Sequence, residues 1–70
     1  MKNQYTAITK QTDGWWIGWV EEVPGVNCQE KTRSELLDSL KVTLREALDF
    51  NKQEAIEAAM ADYTEEALVV

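Results

Sequence analysis

The chain has 70 residues, of which 44% are hydrophobic and 29% charged, so we expect one globular domain spanning residues 1–70 with a small core. The net charge of −6 and the scattered basic residues argue against direct binding to nucleic acid. No apolar run approaches the length of a membrane span or forms a secretion signal, so we expect a cytoplasmic protein without membrane contact.

The first half of the sequence predicts a β-hairpin. Residues 4–11 alternate as a first strand, Asp13-Gly14 is typical of a two-residue turn with positive φ, and a second strand runs from Trp15 to about Glu22. This turn predicts a register with four opposing pairs: Ala7 with Val20, Ile8 with Trp19, Thr9 with Gly18, and Lys10 with Ile17.

A short third strand follows the hairpin. Pro24 and Gly25 end the second strand, because proline donates no hydrogen bond and glycine admits a tight turn. Residues 26–29 then form the third strand, with Val26 and Cys28 expected to face inward.

The second half of the sequence predicts helix. Thr32 and Glu35 have the spacing of a capping box, in which the threonine hydroxyl accepts from the glutamate amide and the carboxylate reaches back. A second cap at residues 51–54 predicts a short second helix to about Ala61, with an open boundary to the first, and Leu68–Val70 is interpreted as a last short strand, with helix continuation as the alternative. One apolar stripe with spacings of three and four must lie on the sheet: Leu36, Leu37, Leu40, Leu44, Ala47 and Leu48.

The second strand is apolar on both faces, although a strand with one solvated face normally alternates. The small residues beside Trp16 leave room for helix leucines, so we expect this inner face to meet the helix. The outer face is then either core, covered by the second helix or the last strand, or an interface covered by another chain. Its candidate interface residues are Ile8, Lys10, Trp15, Ile17 and Trp19.

The sequence lacks the residue groupings expected of an enzyme. It has no histidine, and its single cysteine, Cys28, lies in no nucleophile motif, so we expect a small buried hydrophobe. Glu21 and Glu22 are consecutive on a strand and point to opposite faces, which disfavours a metal-dependent nuclease. We therefore expect no catalytic, cofactor-binding or metal-binding residues.

Residues 13–48, "DGWWIGWVEEVPGVNCQEKTRSELLDSLKVTLREAL", resemble the HicB-like antitoxin family. Members of this family have an Asp-Gly hairpin, alternating aromatic and aliphatic residues, a Leu-Pro-Gly turn and a Gln-Gly-x-Thr-x-x-Glu helix start. Glu30 stands where the family usually has glycine, and the DNA-binding module that longer members add is missing, so operator binding and autorepression are not carried over. The residues that fall at the family spacing are Pro24, Gly25, Gln29, Thr32 and Glu35.

The resemblance implies a single α+β domain of order β-β-β-α(α)-β, with an antiparallel sheet and a helix on one face, a partial ribonuclease-H-like fold without nuclease carboxylates. It implies an antitoxin of a type II toxin-antitoxin pair, which binds and inhibits a small basic mRNA-cleaving toxin of the HicA type by protein-protein contact. The small core and the uncovered face also predict a homo-oligomer, most simply a dimer. The alternative function is a stand-alone oligomeric binding module of the same fold, for RNA or a small ligand, without a toxin partner.

Overall fold

The computed structural model describes residues 4–70, so the first three residues of the predicted domain lie outside the described part. Three strands, β1 (Ala7–Thr12), β2 (Trp15–Val20) and β3 (Asn27–Glu30), form an antiparallel sheet of order β1-β2-β3. One helix, α1 (Arg33–Ala59), follows the third strand. The predicted α+β class, with strands followed by helix, is confirmed.

A two-residue turn joins β1 to β2 and fixes their register. Asp13 and Gly14 have φ angles of 50° and 79°, the positive values that the predicted turn requires. β1 begins at Ala7 and ends at Thr12, whereas the sequence predicted residues 4–11. Ala7 lies opposite Val20, and the pairing continues in order to Thr12 opposite Trp15. The four predicted pairs are therefore confirmed.

The end of β2 differs from the prediction. The strand stops at Val20 rather than Glu22, because the chain turns there and buries Val23 in the core. The Val23 amide donates to the Val20 carbonyl at 3.3 Å, and the Val20 amide donates to the Val26 carbonyl at 3.0 Å. Burial of one more valine thus ends the strand earlier than the alternation indicated.

The third strand is present, shifted by one residue from the predicted residues 26–29. Gly25 has a φ of 91°, which fits the predicted turn, and β3 then begins at Asn27. Val26 is almost completely buried. Cys28 packs against the core but is partly exposed, so the expected full burial of Cys28 is wrong. The predicted inward direction of both side chains is confirmed.

The start of α1 is close to the predicted capping box. The Oγ1 atom of Thr32 accepts a hydrogen bond from the Glu35 amide at 3.1 Å. The Glu35 carboxylate accepts from the Thr32 hydroxyl at 3.0 Å, whereas the capping box predicts a bond to the Thr32 amide. The predicted helix start is therefore confirmed, with a different return bond.

The predicted second helix is wrong, because α1 runs unbroken for 27 residues to Ala59. Residues 33–59 contain neither glycine nor proline, so nothing ends the first helix before Asn51. A capping residue acts where a helix begins, and inside a continuous helix Asn51 is an ordinary exposed position. The chain leaves the helix at Met60, which has a φ of 66°.

The predicted last strand at Leu68–Val70 is also wrong, because residues 60–70 form no strand, and the alternative of a continued helix fails at Ala59. The 27 residues of α1 span about 40 Å, whereas a six-residue strand spans about 20 Å. The unbroken helix therefore carries the chain well past the sheet. Leu68–Val70 consequently lies exposed to solvent rather than paired with a strand.

The core lies between the inner face of the sheet and the first half of α1. Gly18 marks the closest approach, since a Cβ atom added there would lie 2.9 Å from the Ile8 carbonyl oxygen and 3.0 Å from Cδ2 of Leu36. The prediction that the helix packs where small residues leave room is therefore confirmed at Gly18, whereas Ala7, the small residue at the start of β1, lines an open cavity. The buried side chains of this core are Val20, Val23, Val26, Leu36 and Leu40.

Candidate protein interaction site

The outer face of the sheet lies opposite α1 and is formed mainly by alternate residues of β2. Trp15, Ile17 and Trp19 point to this face because their neighbours Gly18 and Val20 point into the core. No helix or strand within residues 4–70 packs on the outer face. The apolar character of β2 on both sides thus corresponds to one covered face and one uncovered face.

Strand β1 adds two more side chains to the outer face. Ile8 lies opposite Trp19, and Lys10 lies opposite Ile17, as the hairpin register predicts. The structure therefore brings all five candidate interface residues, including Trp15, to the same side of the sheet. We refer to these five residues as the outer aromatic face.

The outer aromatic face has an apolar centre and a polar border. Trp19 is 41% exposed, while Trp15 and the two isoleucines are partly buried by their neighbours. On the β3 side, Asn27 lies opposite Trp19 and Gln29 lies opposite Ile17. An apolar, aromatic centre with a polar border is typical of protein-protein interfaces.

A cation lies over one of the tryptophans. The Nζ atom of Lys31 is 3.8 Å from the centroid of the Trp15 ring, which is a cation-π contact. Sequence reasoning missed this contact, although the β2–β3 register, continued by one pair beyond Trp16 and Glu30, places these residues opposite each other. The ammonium group shields one side of Trp15 and leaves Trp19 as the more accessible ring.

If the outer aromatic face were part of the core, the second helix or the last strand of the same chain would have to pack on it. The second helix does not exist as a separate element, and Leu68–Val70 is exposed. Within residues 4–70 the outer aromatic face thus has no cover, and Trp19 keeps 41% of its surface exposed. An aromatic face without cover is a candidate interaction site.

A carboxylate fixes the chain just before β1. The Thr6 amide and the Thr6 hydroxyl each donate to the Glu22 carboxylate at 2.7 Å, and the Glu21 amide donates to the Thr6 carbonyl at 2.9 Å. The bond from the Thr6 amide is the main reason that the pKa of Glu22 is lowered from its ordinary value, because it stabilises the charged form. Sequence reasoning missed this contact, which joins the segment before β1 to the segment after β2, next to the pair Ala7–Val20.

Two polar contacts connect β3 to α1. The Ser39 hydroxyl donates to the Glu30 carboxylate at 2.7 Å, and the Cys28 sulfur lies 3.4 Å from the Thr43 hydroxyl oxygen. Both contacts lie between the sheet and the helix and hold them together. In the part of the chain that the structure describes, no three acidic or cysteine side chains cluster as a metal site would require.

Comparison of the chain with protein-family models, with curated proteins and with solved structures finds no match. Over residues 4–70, α1 falls short of the apolar length needed to cross a membrane. Because no known protein identifies a site, the candidate site rests on the geometry of the outer aromatic face alone.

Proposed function

We propose that the chain is an antitoxin that binds a HicA-type mRNA interferase and inhibits it by protein-protein contact, through the outer aromatic face. The observation that carries this proposal is an apolar face, centred on Trp19, that nothing in the described chain covers. The resemblance of residues 13–48 to HicB-like antitoxins names the class of partner. The finer assignment of the fold as partial ribonuclease-H-like belongs to the same proposal.

Charge and aromatic surface support this function in different ways. The net charge of −6 attracts a basic toxin and accelerates encounter, while it repels the phosphates of nucleic acid. Tryptophans dominate the binding energy of many interfaces because a large ring leaves water on association. We infer that the acidic surface steers the toxin and that Trp19, with Ile8 and Ile17 beside it, holds the complex.

The proposed inhibition requires no chemistry from this chain. The antitoxin acts in the cytoplasm, where the toxin cleaves mRNA, by covering the surface with which the toxin binds RNA. We propose no catalytic residue, no cofactor and no metal for it. A second copy of the chain can also cover the outer aromatic face, which is the arrangement expected for the alternative, a stand-alone oligomeric binding module.

Co-expression tests the proposal. The chain is produced together with the small basic protein encoded next to it, and we expect the two to be recovered as one complex in which RNA cleavage is suppressed. Trp19→Ala should weaken the complex by about 2 kcal/mol or more, because it removes the centre of the face. Phe50→Ala is the matched control, since Phe50 is a more exposed aromatic residue, 62% exposed, on α1.

Two results would contradict the proposal. One is the absence of a small basic toxin gene beside this one, or failure of its product to bind, which favours the stand-alone module. The other is a complex that Trp19→Ala and Phe50→Ala leave equally tight, which places the toxin on another surface.

A further inference from the structure

The helix covers the sheet unevenly and leaves a groove beside β1. α1 packs mainly against β2 and β3, so the inner side of β1 stays open. The resulting cavity, about 240 Å³ in volume, is bordered by Lys41 and continues along the helix past Arg45 toward Leu48. We refer to this cavity and its continuation as the β1 groove. Its apolar lining consists of Tyr5, Ala7, Val20, Leu37, Leu40 and Leu44.

The backbone of β1 is unpaired along the same groove. Within residues 4–70, β1 pairs with β2 alone, so its other edge is open. The Thr6 carbonyl accepts from the Glu21 amide, and hydrogen-bonding residues alternate along an antiparallel strand. The N–H and C=O groups of Ala7, Thr9 and Gln11 therefore point away from β2, toward the open edge. An open edge with unpaired groups is a template for one more strand.

The same chain carries an apolar segment without a partner. Residues 66–70, "EALVV", include Leu68 and Val69, which are 90% and 96% exposed. Two successive valines favour an extended conformation over helix. The preceding residues, Tyr63 and Glu65, lie beside the last turns of α1, and the exposure of Leu68 and Val69 shows that the segment does not occupy the groove of its own chain.

Segment 66–70 and the β1 groove match in polarity and in charge. The side chains of an added strand alternate, so residues 65, 67 and 69 share one side; with Glu65 at the basic border of the groove, Ala67 and Val69 face its apolar lining. Lys41 and Arg45 at the border of the groove match Glu65 and Glu66, which precede the apolar residues. Backbone pairing supplies affinity, and the apolar lining with its basic border supplies selectivity.

We propose that segment 66–70 of a second copy binds in the β1 groove and adds a strand to the open edge of β1. Every copy carries both the segment and the groove, so two copies exchange segments reciprocally and form a closed, symmetric dimer. The contact covers the apolar surface of the groove and leaves the outer aromatic face of both copies accessible. The inference is therefore independent of toxin binding.

A variant of the segment tests the exchange. We expect the wild-type chain to sediment as a dimer at micromolar concentration, and Val69→Asp to raise the dissociation constant about tenfold or more, because a carboxylate would enter an apolar groove. Val69 is fully exposed in the single chain, so the substitution does not disturb folding. Val42→Asp is the matched control, since Val42 is exposed on α1 outside the groove, and it should leave the dimer intact.

A variant of the groove provides the reciprocal test. Thr9→Pro removes an amide that points to the open edge and keeps the β1–β2 bonds, so it should also weaken the dimer. A mixture of Thr9→Pro and Val69→Asp chains still contains one intact groove and one intact segment, and it should recover a heterodimer. If Thr9→Pro does not fold, the Val69→Asp result alone decides the proposal.

Two results would overturn the exchange: a wild-type monomer at high micromolar concentration, and a Val69→Asp dimer as tight as the wild type. If the monomer also protects the Ala7 and Thr9 amides from hydrogen exchange, the segment binds its own chain. Toxin binding by Val69→Asp is measured in parallel. Loss of the dimer with toxin binding intact separates this inference from the proposed function.

Discussion

The two faces of β2 differ in side-chain size more than in polarity. The inner face, with Gly18 and Val20, lies against α1 so closely that an added methyl group would meet both backbone and leucine atoms. The outer face, with Trp15 and Trp19, has the larger apolar side chains and yet no cover within residues 4–70. Apolarity alone therefore does not identify the core of so small a domain, whereas the room that a face leaves for a helix does.

The largest effect is expected on the inner face. Leu36 has no exposed surface, so Leu36→Ala should lower the free energy of unfolding by about 3 kcal/mol through lost burial and a cavity. Denaturant unfolding measures this loss. Val42→Ala, at an exposed position of the same helix, should change it by less than about 0.5 kcal/mol. Equal effects of the two substitutions would mean that the helix does not pack on the sheet as described.

Adding volume to the inner face should also destabilise the domain. Gly18→Ala places a methyl group 2.9 Å from the Ile8 carbonyl oxygen, which belongs to the backbone and cannot easily move. We expect a loss of about 1–3 kcal/mol in the free energy of unfolding, from overpacking. An unchanged or raised midpoint in thermal unfolding would contradict the close approach of α1 to β2.

A smaller effect is expected at the edge of the outer aromatic face. Lys31→Ala removes the cation over Trp15 and should cost about 0.5–1 kcal/mol of folding stability, whereas Lys31→Arg should keep most of it. A double-mutant cycle with Trp15→Leu isolates the contact. A coupling free energy of zero would show that the lysine contributes nothing through the ring.

The smallest effect concerns pH. The pKa of Glu22 is lowered in the folded chain, so its stabilising contribution is present above the ordinary carboxyl pKa and is lost as the pH falls through the folded value. Glu22→Gln should flatten this part of the acid unfolding profile, because the neutral amide does not titrate. Glu21→Gln is the control and should retain the wild-type slope. The same slope in all three proteins would exclude the Thr6–Glu22 contact as its cause.

The hairpin and its two faces could be predicted from the sequence because one short turn determines them. Asp13-Gly14 sets the register, and the register then determines which residues share a face with Trp16 and which with Trp19. The same reasoning reached the five residues of the outer aromatic face. Their role as an interface stays a prediction.

The second half of the chain could not be predicted as well, because local signals compete there with a cooperative helix. Asn51 resembles a cap, but the helix that precedes it has no residue that stops it, and propagation through Asn51 costs little. Leu68–Val70 resembles a strand, yet its partner depends on where the helix ends. The contacts Lys31–Trp15 and Thr6–Glu22 depend on where the strands end, and the alternation located the strand ends only to within three residues.

The packing of α1 on the inner face of the sheet stabilises the fold, and the outer aromatic face is proposed to bind the toxin. Alanine substitution of two tryptophans of β2, one on each face, tests this division most directly. Trp16→Ala should lower the free energy of unfolding by about 2 kcal/mol or more, since Trp16 packs against the core. Trp19→Ala should lower it by less than about 1 kcal/mol, yet weaken toxin binding by about 2 kcal/mol or more. Unfolding by Trp19→Ala, together with weakened binding but intact folding for Trp16→Ala, would contradict the assignment of the two faces.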